Sequence, residues 1–443
     1  MRRLALPAIL HSLLQTLVFV VDRVMLGRHG EASLAAMQLG GSFEWSIWSV
    51  FAAFEVGTIA RVGRHVGARA PARARKAAIV SLVMALVLGG VLAIATPLVL
   101  ALLPVVGKNI SEAAQVEAAG YLGITIAASP LVFVAMIATA TLQAGGDTRT
   151  PLAIGIAANV LHVALNRAFI LGLGPIPAMG ARGAGISTAI TFGLQAVLAT
   201  LALTSRDRLV SLRRPERDDE GGEDVTGETR ALVRIAGPAF VERVLYHVGY
   251  VGYVLIIARL GDAAMAANQS LISVESICFL SGDGFGIAAA ALVAQKLGAA
   301  EPEAARKAAG IATRDAILAL TIFGVGALVF RDQILPLFSD HRDVIAIGRA
   351  AMPVLALAQP FMAAGIVLGQ ALRGAGRTRE ALGVSVIGAV VVRLAATWVF
   401  AITLGMGLVG IWLGSTLDWV VRSALLAGIG ARARGEASAT LRG

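Results

Sequence analysis

Long apolar runs recur along almost the whole chain, separated by short polar stretches. Each run is long enough to cross a ~30 Å hydrocarbon core as a helix rising 1.5 Å per residue. They predict helices over residues 4–26, 38–62, 77–104, 116–141, 151–172 and 183–204. A second set is expected over 231–258, 267–294, 308–331, 343–371, 380–404 and 407–430. Residues 205–230, SRDRLVSLRRPERDDEGGEDVTGETR, form the longest polar stretch and read as a solvated cytoplasmic linker. The expected domains are an N-lobe (1–204), this linker, and a C-lobe (231–443).

The two sets are copies of each other. With a shift of 231, residues 7–78 align on 238–309 without a gap. Pro7 meets Pro238, Arg28 meets Arg259, Gln38 meets Gln269, Glu44 meets Glu275, and Arg75-Lys76 meets Arg306-Lys307. The turns GGDTR (145–149) and GAGRTR (374–379) correspond at a nearly equal shift. Six helices per half is an even number, so both halves enter the membrane in the same direction and form a parallel repeat. The expected fold is an all-α membrane protein of about twelve transmembrane helices in two pseudo-symmetric six-helix lobes.

Composition supports lipid as the main solvent: 57% of the 443 residues are hydrophobic and only 15% are charged. The net charge of +10 would suit nucleic acid in a soluble chain. Here the basic residues sit between apolar segments, as the positive-inside rule requires, so no nucleic-acid partner is expected. Arg2, Arg3, Arg64, Arg69, Arg73, Lys76, Arg149, Arg206, Arg213, Lys296, Lys307, Arg373, Arg377 and Arg432 collect on one side. That places both termini in the cytoplasm of a bacterial inner membrane. Met1-Arg2-Arg3 opens like a signal peptide, but the apolar stretch is too long, ends in Asp22-Arg23 and lacks a small-residue cleavage site. It reads as a retained first helix. Cys278, the single cysteine, lies in an apolar segment and offers neither a disulfide framework nor a CxxC metal site.

Chemistry is expected from acids at membrane depth. His11, Gln15 and Asp22 share one helical face, and the matching positions of the second half are Glu242, Tyr246 and Tyr253. A lipid-facing stripe would be apolar, so these faces are expected to line a cavity. The alternative is that Asp22 pairs with Arg23 at the interface. Glu44, Trp48, Phe51 and Glu55 share a face of the second helix, and its copy carries Glu275 with Asp283 added. Acids with aromatics suit an organic cation through charge and cation–π attraction; plain packing with hydrogen-bonded carboxyls is the other reading.

The fifth helix offers Asn159, His162 and Asn166, and the sixth Ser187 and Thr188. With Asp22 these are oxygen ligands suited to a hard cation such as sodium, although hydrogen bonds between helices are the commoner use. Arg393, and Asp418 with Arg422, read as neutralised pairs; Arg393 alternatively answers Asp283 or Glu242. No phosphate-cradling glycine loop, HExxH or GxSxG motif is present, so no enzyme activity is expected. The only cofactor-like species is a coupling ion, H+ or Na+.

LALPAIL at the start, VDRVMLGRHGEASLAA and VGRHVGARAPARARKAA resemble segments of the MATE multidrug and toxic compound extrusion family. So do LQAGGDTRTP, GARGAGISTA and the second-half copies ARLGDAAMAANQ, ALVAQKLGAAEPEAARKAA and LRGAGRTRE. The resemblance runs through nearly the whole chain, with the branch, NorM-like or DinF-like, left open. It implies a two-lobe exporter driven by sodium or protons. The family's N-lobe aspartate falls on Asp22, its paired polar residues on His162 and Asn166, and its helix-six threonine on Thr188. His162 stands where asparagine is usual, and imidazole titrates near neutrality, which suits protons. The C-lobe acid of NorM-like members falls on Tyr246, with Glu242 one turn earlier.

The resulting expectation is a secondary antiporter that exports organic, cationic drugs or metabolites in exchange for H+ or Na+. Coupling is expected at Asp22, His162, Asn166 and Thr188, with sodium held by Asp22, Asn166 and Thr188 if sodium is the ion. Cargo is expected along Gln15, Glu44, Trp48, Glu55, Glu242, Tyr246, Glu275 and Asp283. The expected partners are a small-molecule substrate and the bilayer, and the chain is expected to act as a monomer. The alternative function is a flippase of lipid-linked precursors.

Overall fold

The computed structural model describes residues 7, 10, 21–106, 111–205, 208–213 and 225–440. The chain is an all-α membrane protein. Among the described residues the one β-type contact is an isolated bridge between Leu173 and Ile176 in a loop.

The first helix is described over 21–29 (α1). It is followed by α2 (Glu31–Phe51), α3 (Ala53–Gly67), α4 (Pro71–Ile94), α5 (Thr96–Val106) and α6 (Glu112–Ala127). Next come α7 (Ser129–Ala144), α8 (Arg149–Phe169), α9 (Gly180–Ala202) and α10 (Val225–Ala258). The chain continues through α11 (Asp262–Gly298), α12 (Pro302–Val329), a short α13 (Arg331–Ile334) and α14 (Arg342–Gly374). The eleventh span, Thr378–Thr403, comprises α15 (Thr378–Ser385), a π-helical stretch Val386–Val392, α16 (Arg393–Trp398) and a second π-helical stretch Val399–Thr403. The last helix is α17 (Gly407–Thr440).

Eight helices among the described residues are long and apolar enough to cross a membrane, or nine if the bent pair α6–α7 is one span. Every expected span from 38–62 onward coincides with a helix or with consecutive helical stretches. Most of the expected first span, 4–26, lies outside the described residues. The span over 38–62 is interrupted at Ala52, where the Glu55 N–H bonds to the Ala52 carbonyl three residues back and the helix tightens locally. The span over 116–141 bends by 52° between α6 and α7.

The linker expected over 205–230 ends earlier than the polar composition suggests, because α10 begins at Val225. Glu228 gives the reason: it is buried and grips Arg61 of α3, with Nε–Oε1 at 2.8 Å and Nη2–Oε2 at 2.5 Å. Leu232 and Ala236 follow at helical spacing and are also buried, Leu232 against Gly57. Residues 206–207 and 214–224 of the linker lie outside the described residues.

The chain forms two compact units. One runs from Leu10 to Ala236, so it keeps the opening turns of α10; the other contains Gly237–Gly443. In the first, α2 packs on α6, α4 on α7, and α9 on α6, α7 and α8. Leu26, Met37, Tyr121, Leu122, Ile126 and Phe133 lie in its core. The start of α9 is fixed by Glu117, whose Oε2 accepts the Ala181 N–H at 3.0 Å and the Ser33 hydroxyl at 2.5 Å. Gly180 sits at φ +53, and a Cβ there would crowd Glu117 Oε2 at 2.6 Å, so only glycine fits. In the second unit α14 packs on α11, α12 and α17 around Leu271, Met352, Leu355 and Trp412.

Gly388 lets the π-helical stretch press directly on α17. A Cβ there would collide with Arg422 Cγ and Asp418 Oδ1. Gly388→Ala is expected to cost about 1–3 kcal/mol by overpacking. Thermal unfolding of the purified protein in detergent checks this, and the melting temperature should fall.

Candidate functional site

Asp22 lies inside the first unit, 3% exposed, while its neighbour Arg23 is exposed. Its carboxylate meets α8 and not Arg23, so the expected alternative of an interfacial pair does not hold. His162 Nε2 lies 2.8 Å from Asp22 Oδ1, and Asn166 Nδ2 donates to the same oxygen at 2.5 Å. One helical turn separates His162 and Asn166, which is why α8 can present both to one carboxylate. The other imidazole nitrogen, Nδ1, is 3.2 Å from Thr191 Oγ1, whose own hydroxyl proton goes to the Ser187 carbonyl at 2.7 Å. That carboxylate–imidazole–hydroxyl chain fixes the ring orientation as a supporting partner would.

Thr191 escaped the sequence reading; its signal was its place one turn beyond Ser187 on α9. Thr188 is buried but makes no side-chain hydrogen bond to Asp22 among the described residues. Both groups bound to Asp22 are nitrogens. Asp22 and Asn166 are in contact, as a shared ion site would need, while Thr188 shows no side-chain hydrogen bond to either among the described residues.

Glu44 is the second buried acid of this unit, 2% exposed. The Tyr121 hydroxyl of α6 donates to its Oε2, and its Oε1 has no hydrogen-bond partner. Asp22 acts on it electrostatically. Trp48, one turn on, packs edge-on against Phe192 with ring centroids 5.2 Å apart. Glu55 is half-buried on α3, beyond the break at Ala52. Gln15, like His11, lies outside the described residues.

In the second unit Glu242 is bound by Arg373 of α14 through Nε at 3.2 Å and through Nη2, and by the Ser385 hydroxyl at 2.5 Å. Sequence reasoning had set Arg373 among the cytoplasmic charges and left Glu242 open to cargo. Asp418, fully buried, holds two arginines: Arg393 at 2.9 Å and 2.7 Å, and Arg422 at 2.6 Å and 2.5 Å. Arg393 therefore answers Asp418 rather than Asp283 or Glu242. Arg422 also lies over the Trp419 ring, 3.7 Å from its centroid. Asp283 accepts from Gln370 at 2.8 Å. Tyr246 meets His247 edge-on, and Glu275 lies within electrostatic reach of Arg393, Tyr250 and Tyr253.

The acids sort by partner. Among the described residues five acidic side chains are buried: Asp22, Glu44, Glu228, Glu242 and Asp418. Three of them bond arginine. Asp22 and Glu44 bond none, and Asp22 acts electrostatically on Glu44.

The comparisons with known proteins agree with this architecture. The MatE family model matches twice, over residues 7–167 and 238–399, and the matches begin 231 residues apart, the offset of the internal repeat. The chain belongs to the MatE family and is a membrane transporter rather than an enzyme. It is 26% identical to a "Probable multidrug resistance protein NorM" of Thermotoga maritima, over 96% of this chain and 90% of that protein. It is 24% identical to the "Multidrug resistance protein NorM" of Vibrio vulnificus, over 96% and 93%. The fold is similar to an outward-facing multidrug resistance MATE family transporter of the MOP superfamily, with a TM-score of 0.88 at 20% identity, covering 100% of this chain and 96% of that one. A MOP superfamily transporter from Pyrococcus furiosus, described as having a binding pocket of reversed polarity, matches with a TM-score of 0.85 at 19% identity over 97% and 94%.

The buried pairs give a direct test. Glu242→Gln leaves the half-buried Arg373 without its carboxylate and is expected to cost about 1–3 kcal/mol. Combining it with Arg373→Met should restore most of the loss, read as the melting temperature in detergent.

Proposed function

We propose that this protein is a proton-coupled multidrug exporter of a bacterial inner membrane, with both termini in the cytoplasm. Asp22 is its coupling carboxylate, and the lobes 1–204 and 231–443 alternate access to the cargo. One observation carries the reading: among the described residues Asp22 and Glu44 are the buried acids without an arginine partner. A buried carboxylate needs a compensating positive charge in low dielectric. Where the protein supplies none, a mobile cation has to. An arriving proton neutralises Asp22, and its departure restores a charge that only the next cation can balance. That exchange, linked to two states of the protein, is the physical content of antiport.

Asn166 donates to Asp22 and the His162 ring nitrogen lies against the same oxygen, so a proton can be shared between carboxylate and imidazole, which supports protons over sodium. The relatives' names support drugs as cargo, and Glu275 with Tyr246 and Tyr250 offers a cationic cargo charge and aromatic faces. The protein works as a monomer in this reading. A flippase for lipid-linked phosphates would draw on buried basic side chains, and here those are engaged by Glu242 and Asp418.

Inside-out vesicles carrying the protein, given ethidium in the external medium under separately imposed pH and sodium gradients, test the reading through uptake of the dye. Transport should follow the pH gradient, and Asp22→Asn should abolish it while the protein still inserts. Wild-type rates from Asp22→Asn would remove Asp22 from the mechanism, and transport driven by sodium alone would overturn proton coupling.

A further inference from the structure

Glu44 has an environment that a structural carboxyl would not be given. It is buried on α2, and among the described residues Oε2 is bound by a single donor, the Tyr121 hydroxyl, while Oε1 meets no hydrogen-bond partner. A bare carboxylate oxygen in a dry interior costs on the order of 1–3 kcal/mol, more when charged, and buried acids elsewhere in the chain avoid that cost through arginine. The titratable groups acting on Glu44 are Tyr121 from α6 and Asp22 from α1, while the Thr125 hydroxyl donates to the Tyr121 carbonyl at 3.2 Å. From α8, His162 reaches Asp22 rather than Glu44.

The basic side chains of the packed elements point elsewhere. Arg23 and Arg28 of α1, Arg167 of α8 and Arg182 of α9 are exposed. Glu117, the other nearby acid of α6, is engaged with Ser33 and Ala181. A second orphan oxygen lies beside Asp22: Asn166 donates through Nδ2, and its Oδ1 is buried without a partner. Among the described residues, two carboxyls and two bare acceptors thus occur here with no fixed cation bonded to them.

We propose that Glu44 is a second proton-exchanging carboxyl of the coupling site, titrating with Asp22 as one interacting pair. This rests on the proton-coupled reading of Asp22 and extends it to a site that takes up to two protons. Two like charges within electrostatic reach in low dielectric cannot both stand ionised cheaply, so the state of one sets the cost of ionising the other. Tyr121 is the positioning residue that keeps Glu44 turned inward. Asp22 is the member joined to His162. The pair gives the carrier a graded charge, so loading the first proton and loading the second are distinct steps.

Infrared difference spectra of the purified full chain, recorded across a pH series, read protonated carboxyls through their carbonyl stretch and need no cargo. The pair predicts that Glu44→Gln removes one pH-dependent band and moves the midpoint of the Asp22 band. It also predicts that Asp22→Asn moves the midpoint of the Glu44 band. Tyr121→Phe, which keeps both carboxyls, should move the Glu44 band without deleting it, and it serves if Glu44→Gln does not fold. A Glu44→Gln spectrum identical to wild type, or an Asp22 midpoint unmoved by Glu44→Gln, overturns the proposal. So does a Glu44 band unmoved by Tyr121→Phe. Ethidium transport by Asp22→Asn, by contrast, contradicts the coupling reading and not the pairing of the two acids.

Discussion

A carboxylate removed from water must meet positive charge, and the buried acids of this protein divide on how that need is met. Glu228 closes on Arg61, Glu242 on Arg373, and Asp418 on both Arg393 and Arg422. Those contacts are permanent, so they tie helices together and have no reason to exchange anything. Asp22 and Glu44 meet a histidine, an amide and a tyrosine instead. The difference separates acids tied to arginine from the two on which the proposed coupling rests. It also explains why the second unit, for all its charge, offers no obvious place for a coupling ion at Glu242 or Asp418.

The fixed pairs are demanding of geometry. Asp418 can take two guanidinium groups because Gly388 allows the eleventh span to approach α17 without a side chain between them. Arg393 stands at the junction between the π-helical stretch Val386–Val392 and α16. Such local widening is common where a helix must re-aim a side chain. In the first unit the corresponding economy is at Gly180, whose positive φ lets Glu117 seat the beginning of α9 and so place Thr191 against His162.

Much of this was legible in the sequence. The apolar runs located the helices within a few residues, since lipid leaves a backbone little choice but a helix. The offset of 231 between copies reappears in the two matches to the family. Asp22, His162 and Asn166 were named together, and they touch. What stayed hidden were partners far apart along the chain: Tyr121 for Glu44, Arg373 for Glu242, Arg61 for Glu228. Periodicity shows which face a residue occupies on its own helix, and nothing about which helix will lie against it. The breaks at Ala52 and between α6 and α7 were also invisible, because hydropathy is blind to local backbone geometry.

The central claim is that the Asp22 cluster works because no fixed cation is built into it. Replacing His162 by arginine would install one at the carboxylate, as Arg373 does for Glu242. The decisive measurement is pH-driven ethidium transport by His162→Arg in protein that keeps the wild-type melting profile. The account predicts that coupled transport is lost; transport at the wild-type rate would contradict it.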